Sequence, residues 1–163
     1  MQKGSHSRNV NKIKAQVLIF SIFVGLGFLL DRTLKYFAEQ KLPDEELFII
    51  PRFLSLYLHH NQGMAFGINV PMALIIVVGI IIIMALGFSI IYAVRLRRLD
   101  WYYPLFLIFC GGTSNLIDRI GYGYTIDYFY MRPYSFFNIA DLMIIAGCLI
   151  SLASSWFKKR HYG

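Results

Sequence analysis

The sequence predicts an all-α membrane bundle of four transmembrane helices with a small β-sheet on its outer face. Three observations point there. Four apolar runs are each long enough to make most or all of a bilayer crossing. The basic residues come in three short bursts, each beside one of those runs. A long segment between the first two runs interrupts the helical pattern with aromatic and β-branched residues around a proline. The composition agrees: of 163 residues, 57% are hydrophobic and 15% charged, with a mean hydropathy of +0.55. Soluble domains carry about 25% charged residues.

A helix rises about 1.5 Å per residue, so roughly 20 apolar residues cross the hydrocarbon core. Residues 1–14 form a basic N-terminus, and residues 15–36 make the first span. Its apolar part is Ala15 to Leu30, extended by the amphipathic turn Asp31 to Tyr36. A basic start would also suit a cleaved signal peptide, but no A-x-A-like site follows, which predicts a retained span. The outer segment 37–71 is too long for a turn. Within it "FII" and "FLSLYL" read as strands broken at Pro51. Gly63 and Gly67 of "NQGMAFG" suit a turn or a close approach of backbone to ligand. Spans two, three and four follow at 72–94, 101–119 and 137–157. Between the last two, the outer loop 120–136 holds the extended, aromatic "TIDYFY". Residues 158–163 are a basic tail, so 15–157 make one membrane domain. Trp101, Tyr102, Tyr103 and Trp156 suit interface anchors. Cys110 and Cys148 have neither CxxC nor His spacing and are expected as small core or lipid-facing residues.

An even number of spans puts both termini on one side. The N-terminus, the link "RLRRLD" and the tail carry four, three and three Lys/Arg, ten in all, against one acid, Asp100. The opposite side carries six Lys/Arg against eight acids. Both termini are therefore expected in the cytoplasm. The net charge of +7 does not point to nucleic acid, whose binders gather Lys and Arg along one face or groove.

Depth follows from counting. Sixteen residues, Ala15 to Leu30, put about 24 Å of helix before Asp31. Seventeen, Trp101 to Ile117, put about 25 Å before Asp118. Sixteen counted back from Lys158 put Asp141 at about 24 Å. Three helices thus bring an acid to the outer boundary, and Asp127 lies in the loop just beyond. Helical spacing puts Asn115, Asp118 and Arg119 on one face, Asn138 with Asp141 on another, and Asp31 with Lys35 on a third. Ionisable residues in membrane segments face the bundle interior or a cavity and are functional candidates by default. The spacing predicts a pocket of acids, amides and a guanidinium at one depth.

No Ser or Cys has a His and an acid at a matching depth, and no HExxH offers zinc ligands. Two carboxylates sharing one proton remain, one protonated while the other acts as base. Such a pair hydrolyses a peptide bond through an activated water. Asp127 and Asp141 are the expected pair, because Asp31 has Lys35 and Asp118 is expected to be held by Arg119.

These residues resemble the bacterial lipoprotein signal peptidases (signal peptidase II), four-span intramembrane aspartic proteases. The resemblance runs from about Gly25 to Trp156 and rests on five motifs in order: "DRTLK", "NQGMAFG", "GGTSNLIDRI", "TIDYF" and "FNIADLMI". It implies removal of signal peptides from prolipoproteins just before a diacylglyceryl-modified cysteine, with Asp127 and Asp141 as the catalytic dyad. It further implies that Asn61, Gly63, Asn115, Arg119 and Asn138 line the substrate site, with Asp31, Lys35, Asp118 and Ala140 in support. No cofactor or metal is implied. The partners would be the prolipoprotein and membrane lipid, not nucleic acid, and the chain would act as a monomer. The location implied is the bacterial cytoplasmic (inner) membrane, with the active site near the outer face. Ser114 stands where many members have Gly, and Ile126 and Tyr128 replace the commoner "VVDF" neighbours of the aspartate. These departures bear on pocket shape rather than reaction class.

Two other classes compete on the residues alone. A proton-coupled transporter would place polar groups near mid-bilayer or break a helix, whereas span two is wholly apolar. A structural membrane protein would explain the spans but not the converging Asn, Asp and Arg. For the acids themselves the plain alternative is a buried hydrogen-bonded or helix-capping role, which at Asp141 is compatible with catalysis.

Overall fold

Four helices and four strands follow one another along the chain. They are α1 (Lys3–Lys41), β1 (Leu47–Ile50), β2 (Leu54–Asn61), α2 (Met72–Arg95), α3 (Leu99–Tyr122), β3 (Thr125–Met131), β4 (Ser135–Phe137) and α4 (Ile139–Tyr162). The structure is a computed structural model. It describes residues 3–43, 45–63 and 70–162, with side chains described from residue 11 to residue 157 within those ranges. Residues 64–69, which include Gly67, lie outside the described residues.

By length and composition α1, α2 and α4 can each cross a membrane. Only Ala93 of α2 is buried, and α1 and α4 also turn large apolar side chains outward, Phe23 and Leu152 among them. Helix α3 matches α2 in length, 24 residues, but carries Asn115, Asp118 and Arg119 towards its end. It tolerates them because it is the inner helix, packed against α1, α2 and α4. Two glycines bring α3 and α4 close. A Cβ at Gly111 would lie 2.4 Å from the Ala140 carbonyl oxygen, and one at Gly147 would lie 2.7 Å from that of Pro104. Small residues of this kind let helix backbones approach in membranes. Helix α3 ends where Gly123 adopts a left-handed φ of 78° and returns its N–H to the Arg119 carbonyl.

The strands form one antiparallel sheet in the order β1-β2-β3-β4. Asp127 on β3 stands opposite His59 on β2, and Thr125 opposite Asn61. Beneath the sheet Ile126 and Tyr128 pack with Ala38 of α1. A second cluster inside the bundle joins Val24, Cys110 and Met143.

The structure differs from the sequence expectation in three places. Residues 37–41 continue α1 instead of opening the outer segment, because the sheet supplies apolar cover for Ala38. The loop 120–136 finishes α3 and then forms β3 and β4, so the segment with Asp127 is an inner strand of the sheet. Tyr102 is 3% exposed with its hydroxyl 2.6 Å from Ser21 Oγ, which makes it a core residue and not an interface anchor. Trp101 is partly exposed beneath the Arg98 guanidinium, 4.3 Å from the ring centre. Cys110 is buried and Cys148 exposed.

Candidate active site

The site lies where the first turn of α4 meets β3 and the ends of α1 and α3. Asn138 precedes α4 and caps it. Its Oδ1 accepts the Asp141 N–H (2.9 Å), and Asp141 Oδ2 accepts the Asn138 N–H (3.1 Å). This reciprocal pair is a capping box, with Asp in the position often held by Glu. An acid in the first turn also suits the helix dipole. The other end of the Asn138 amide donates to Asp127 Oδ1 at 2.7 Å. One asparagine therefore holds both acids.

Two more amides complete the arrangement. Asn61 Nδ2 donates to Asp127 Oδ2 (3.0 Å), while Asn61 Oδ1 accepts the N–H of Gly63, whose φ of 76° closes the turn. Asn115 Nδ2 donates to Asp141 Oδ1 (2.8 Å). Each carboxylate oxygen thus accepts one hydrogen bond and keeps a second lone-pair site for water or a shared proton. Asp127 is 1% exposed. Loss of water pushes its carboxyl up to about 6, the Asp141 charge adds to the rise, and the Asn61 and Asn138 amides oppose it.

Behind these acids lies a charge cluster. Lys35 Nζ is 3.1 Å from Asp31 Oδ2 and 2.7 Å from Asp118 Oδ2, and all three residues are fully buried. Arg32 also pairs with Asp118, and the Ile126 N–H donates to it at 3.3 Å. Two acids and two bases balance here. Lys35 Nζ donates as well to Asn115 Oδ1 (2.7 Å), which ties the cluster to the amide on Asp141. Asp31 Oδ1 accepts the N–H of fully buried Ala140 at 3.1 Å.

The structure thus brings Asn61, Asn115, Asp127, Asn138 and Asp141 into one hydrogen-bonded group, with Asp31, Lys35, Asp118 and Ala140 directly behind. One expected pairing is corrected. Asp118 is held by Lys35 and Arg32, not by Arg119. Successive helix residues are not side-by-side neighbours, and among the described residues no ion pair joins Arg119 to Asp118. The Arg119 Nε is buried and without a partner among the described residues. Sequence reasoning counted Arg32 only as an outer charge. The signal was available in "DRTLK", where Arg32 and Lys35 are three apart and share a face. It also gave no role to the hydroxyls of Ser114 and Tyr128, which both donate to Asp31. His59 and His60 lie on β2, where His59 stacks on Phe136 and His60 meets Glu39 at 3.1 Å.

An apolar helical bundle with buried acids and amides gathered at its sheet-bearing end defines an integral membrane protein with an enzyme-like polar site. Comparison with known proteins identifies the family. The family model described as Signal peptidase (SPase) II matches residues 23–157. A lipoprotein signal peptidase of Clostridium tetani is 34% identical over 137 residues, covering 79% of this chain and 86% of that one. One from Syntrophus aciditrophicus is 32% identical over 158 residues, covering 91% and 98%. A solved bacterial membrane enzyme, 26% identical, matches with a TM-score of 0.71 over 86% of this chain and 92% of its own. A second, 24% identical, shares the fold with a TM-score of 0.76 over 91% and 92%. The chain belongs to the signal peptidase II family, bacterial membrane proteases of lipoprotein processing.

Proposed function

We propose that this chain removes signal peptides from prolipoproteins just before the diacylglyceryl-modified cysteine, using Asp127 and Asp141 as an aspartic dyad. The observation that carries the reading is Asn138, whose side chain and backbone hold both carboxylates through neutral donors. Held this way, the two acids are oriented without being neutralised, and like charges in proximity retain one proton between them. The ionised member takes a proton from water as the water oxygen attacks the scissile carbonyl carbon. The protonated member gives its proton to the carbonyl oxygen. Collapse of the resulting diol breaks the C–N bond: the leaving nitrogen takes the proton from the protonated member, a diol hydroxyl gives its proton to the ionised member as the C=O reforms, and the single-proton state returns. That proton belongs to the pair and not to either residue. Arg119, with its free Nε–H, and Asn61 are the donors for the substrate backbone.

The setting is a four-span monomer in the bacterial inner membrane, with α3 as the span whose polar end turns inward and both termini in the cytoplasm. The three bursts of basic residues support that orientation. The sheet end then lies at the outer face, where water is available. The substrate's diacylglyceryl chains stay in lipid while the scissile bond reaches the dyad.

The test uses purified protein in detergent with a diacylglyceryl-modified prolipoprotein, its unlipidated counterpart and a chelator control. The expected result is cleavage of the lipidated substrate alone, insensitive to chelator, and abolished in folded Asp127→Asn and Asp141→Asn. Cleavage retained by either variant, or stopped by the chelator, rejects the dyad.

A further inference from the structure

The first four backbone N–H groups of a helix have no partner inside it. In α4 all four are taken. The Asn138 and Asp141 N–H groups go to each other's side chains, Asp141 Oδ2 and Asn138 Oδ1, at 3.1 and 2.9 Å. The Ala140 N–H goes to Asp31 Oδ1 at 3.1 Å. The Ile139 N–H goes to the hydroxyl oxygen of Tyr128 at 3.0 Å, and that hydroxyl donates to Asp31 Oδ1 at 2.9 Å. Phenol and carboxylate thus form a clasp over the turn that carries Asp141. The clasp is itself braced, because Ser114 Oγ donates to Asp31 Oδ2 at 2.6 Å.

Tyr128 follows Asp127 on β3, and the two grip the same turn at adjacent points. Asp127 takes Asn138, and Tyr128 takes Ile139. The Tyr128 ring packs with Ala38 and Ile126 without needing the hydroxyl. Burial, with the Asp31 charge added, pushes the phenol far above its ordinary value, so it keeps its proton and donates throughout the working pH range.

We infer that Tyr128 is a positioning residue for the dyad: its hydroxyl, bonded to the Ile139 N–H and to Asp31, locks the first turn of α4 against β3 and so sets the separation of Asp141 from Asp127. The inference rests on the dyad reading above. A misplacement of about 1 Å at a reacting group costs on the order of 100-fold in rate. A substrate held by Arg119 and Asn61 would not feel the change in binding.

Tyr128→Phe removes the hydroxyl and keeps the ring. With the lipidated substrate, kcat per folded molecule is expected to fall about 10- to 100-fold. KM should stay within about twofold, and the apparent pKa of the pH profile should move, because the coupling of two carboxylates depends on their separation. Ser114→Ala, which loosens the brace on Asp31, should lower kcat in the same direction by a smaller factor. Asp127→Asn, run alongside, separates the two questions: if it still cleaves, the dyad reading itself has failed. If Asp127→Asn is inactive while Tyr128→Phe keeps a wild-type kcat and pH profile, the positioning role is overturned. It is overturned equally if the activity lost in Tyr128→Phe only tracks lost folded protein.

Discussion

Lys35→Met probes the balance of the buried charges, because it keeps the length of the side chain and removes one cation from among four polar groups. The ammonium lies 3.1 Å from Asp31, 2.7 Å from Asp118, 2.7 Å from Asn115 and 3.4 Å from Ser114. At an effective dielectric of about 20, the two ion pairs represent roughly 5–6 kcal/mol of gross attraction each. Much of that is cancelled by the desolvation of the ammonium, several kcal/mol, which disappears with the charge. The stranded partners decide the net effect. Asp118 keeps Arg32 and the Ile126 N–H, whereas Asp31 keeps only the neutral donors Tyr128, Ser114 and Ala140. A loss of about 3–5 kcal/mol is expected, the range for removing one partner of a buried pair. That corresponds to a fall in thermal midpoint on the order of 10 °C. Cleavage should fall as well, because Asn115 loses its ammonium donor while still holding Asp141. The assay is thermal unfolding in detergent, with cleavage measured well below the midpoint. Adding Asp31→Asn removes the stranded acid and should restore part of the stability. If Lys35→Met unfolds within about 1 kcal/mol of wild type, or the double variant is less stable than the single one, Lys35 does not balance the buried acids.

Three further outcomes are open to measurement. The Asp127 carboxyl is raised to about 6 and the proposed dyad holds its shared proton up to about that pH, so kcat/KM, which reports the free enzyme, should fall on the alkaline side with an apparent pKa near that value. Between its ordinary value of 3.8 and about 6 the folded chain binds more protons than the unfolded one. The stability linked to Asp127 is therefore complete below that window and lost as pH rises through it, and Asp127→Asn should flatten the slope. A stability curve with the same slope in wild type and variant contradicts the shift. Gly111→Ala would put a Cβ 2.4 Å from the Ala140 carbonyl oxygen and 2.9 Å from Ile144 Cγ1, so the first turn of α4 must move. The expected cost is about 1–3 kcal/mol of stability, with at least about 10-fold of activity from the displaced Asp141. Gly121→Ala, which meets nothing within 4 Å, should be nearly silent on both counts, and equal effects at the two glycines would refute the contact.

Some features were legible in the sequence because they depend on local rules. Helix α2 is a run of apolar residues with no charge before its last residue, and its limits, Met72 and Arg95, lie within a residue of the expected ones. The convergence of Asp31, Asp118 and Asp141 follows from the fixed rise of a helix, whatever packs around it. "TIDYFY" reads as extended from its residues alone. Its position between β2 and β4 does not, because strand partners are chosen over long sequence separations. The end of α1 was misread for the same kind of reason: Tyr36 to Lys41 looks like the edge of a span until the sheet covers Ala38.

Asp118 was given the wrong cation, since rotation about the α1 and α3 axes decides who faces whom. Asp31, Lys35, Arg32 and Asp118 close among themselves, Glu46 takes Arg132, and Glu39 takes His60. Among the described residues Asp127 and Asp141 are in no ion pair and are held by amides instead. A cation would bring each acid a charge of its own and favour the fully ionised state. An amide fixes the direction of a carboxylate and leaves its charge in place. In the proposed dyad the two acids on one asparagine share a proton, whereas Asp31, Asp118 and Glu46 at the same end of the bundle each have a cation in contact.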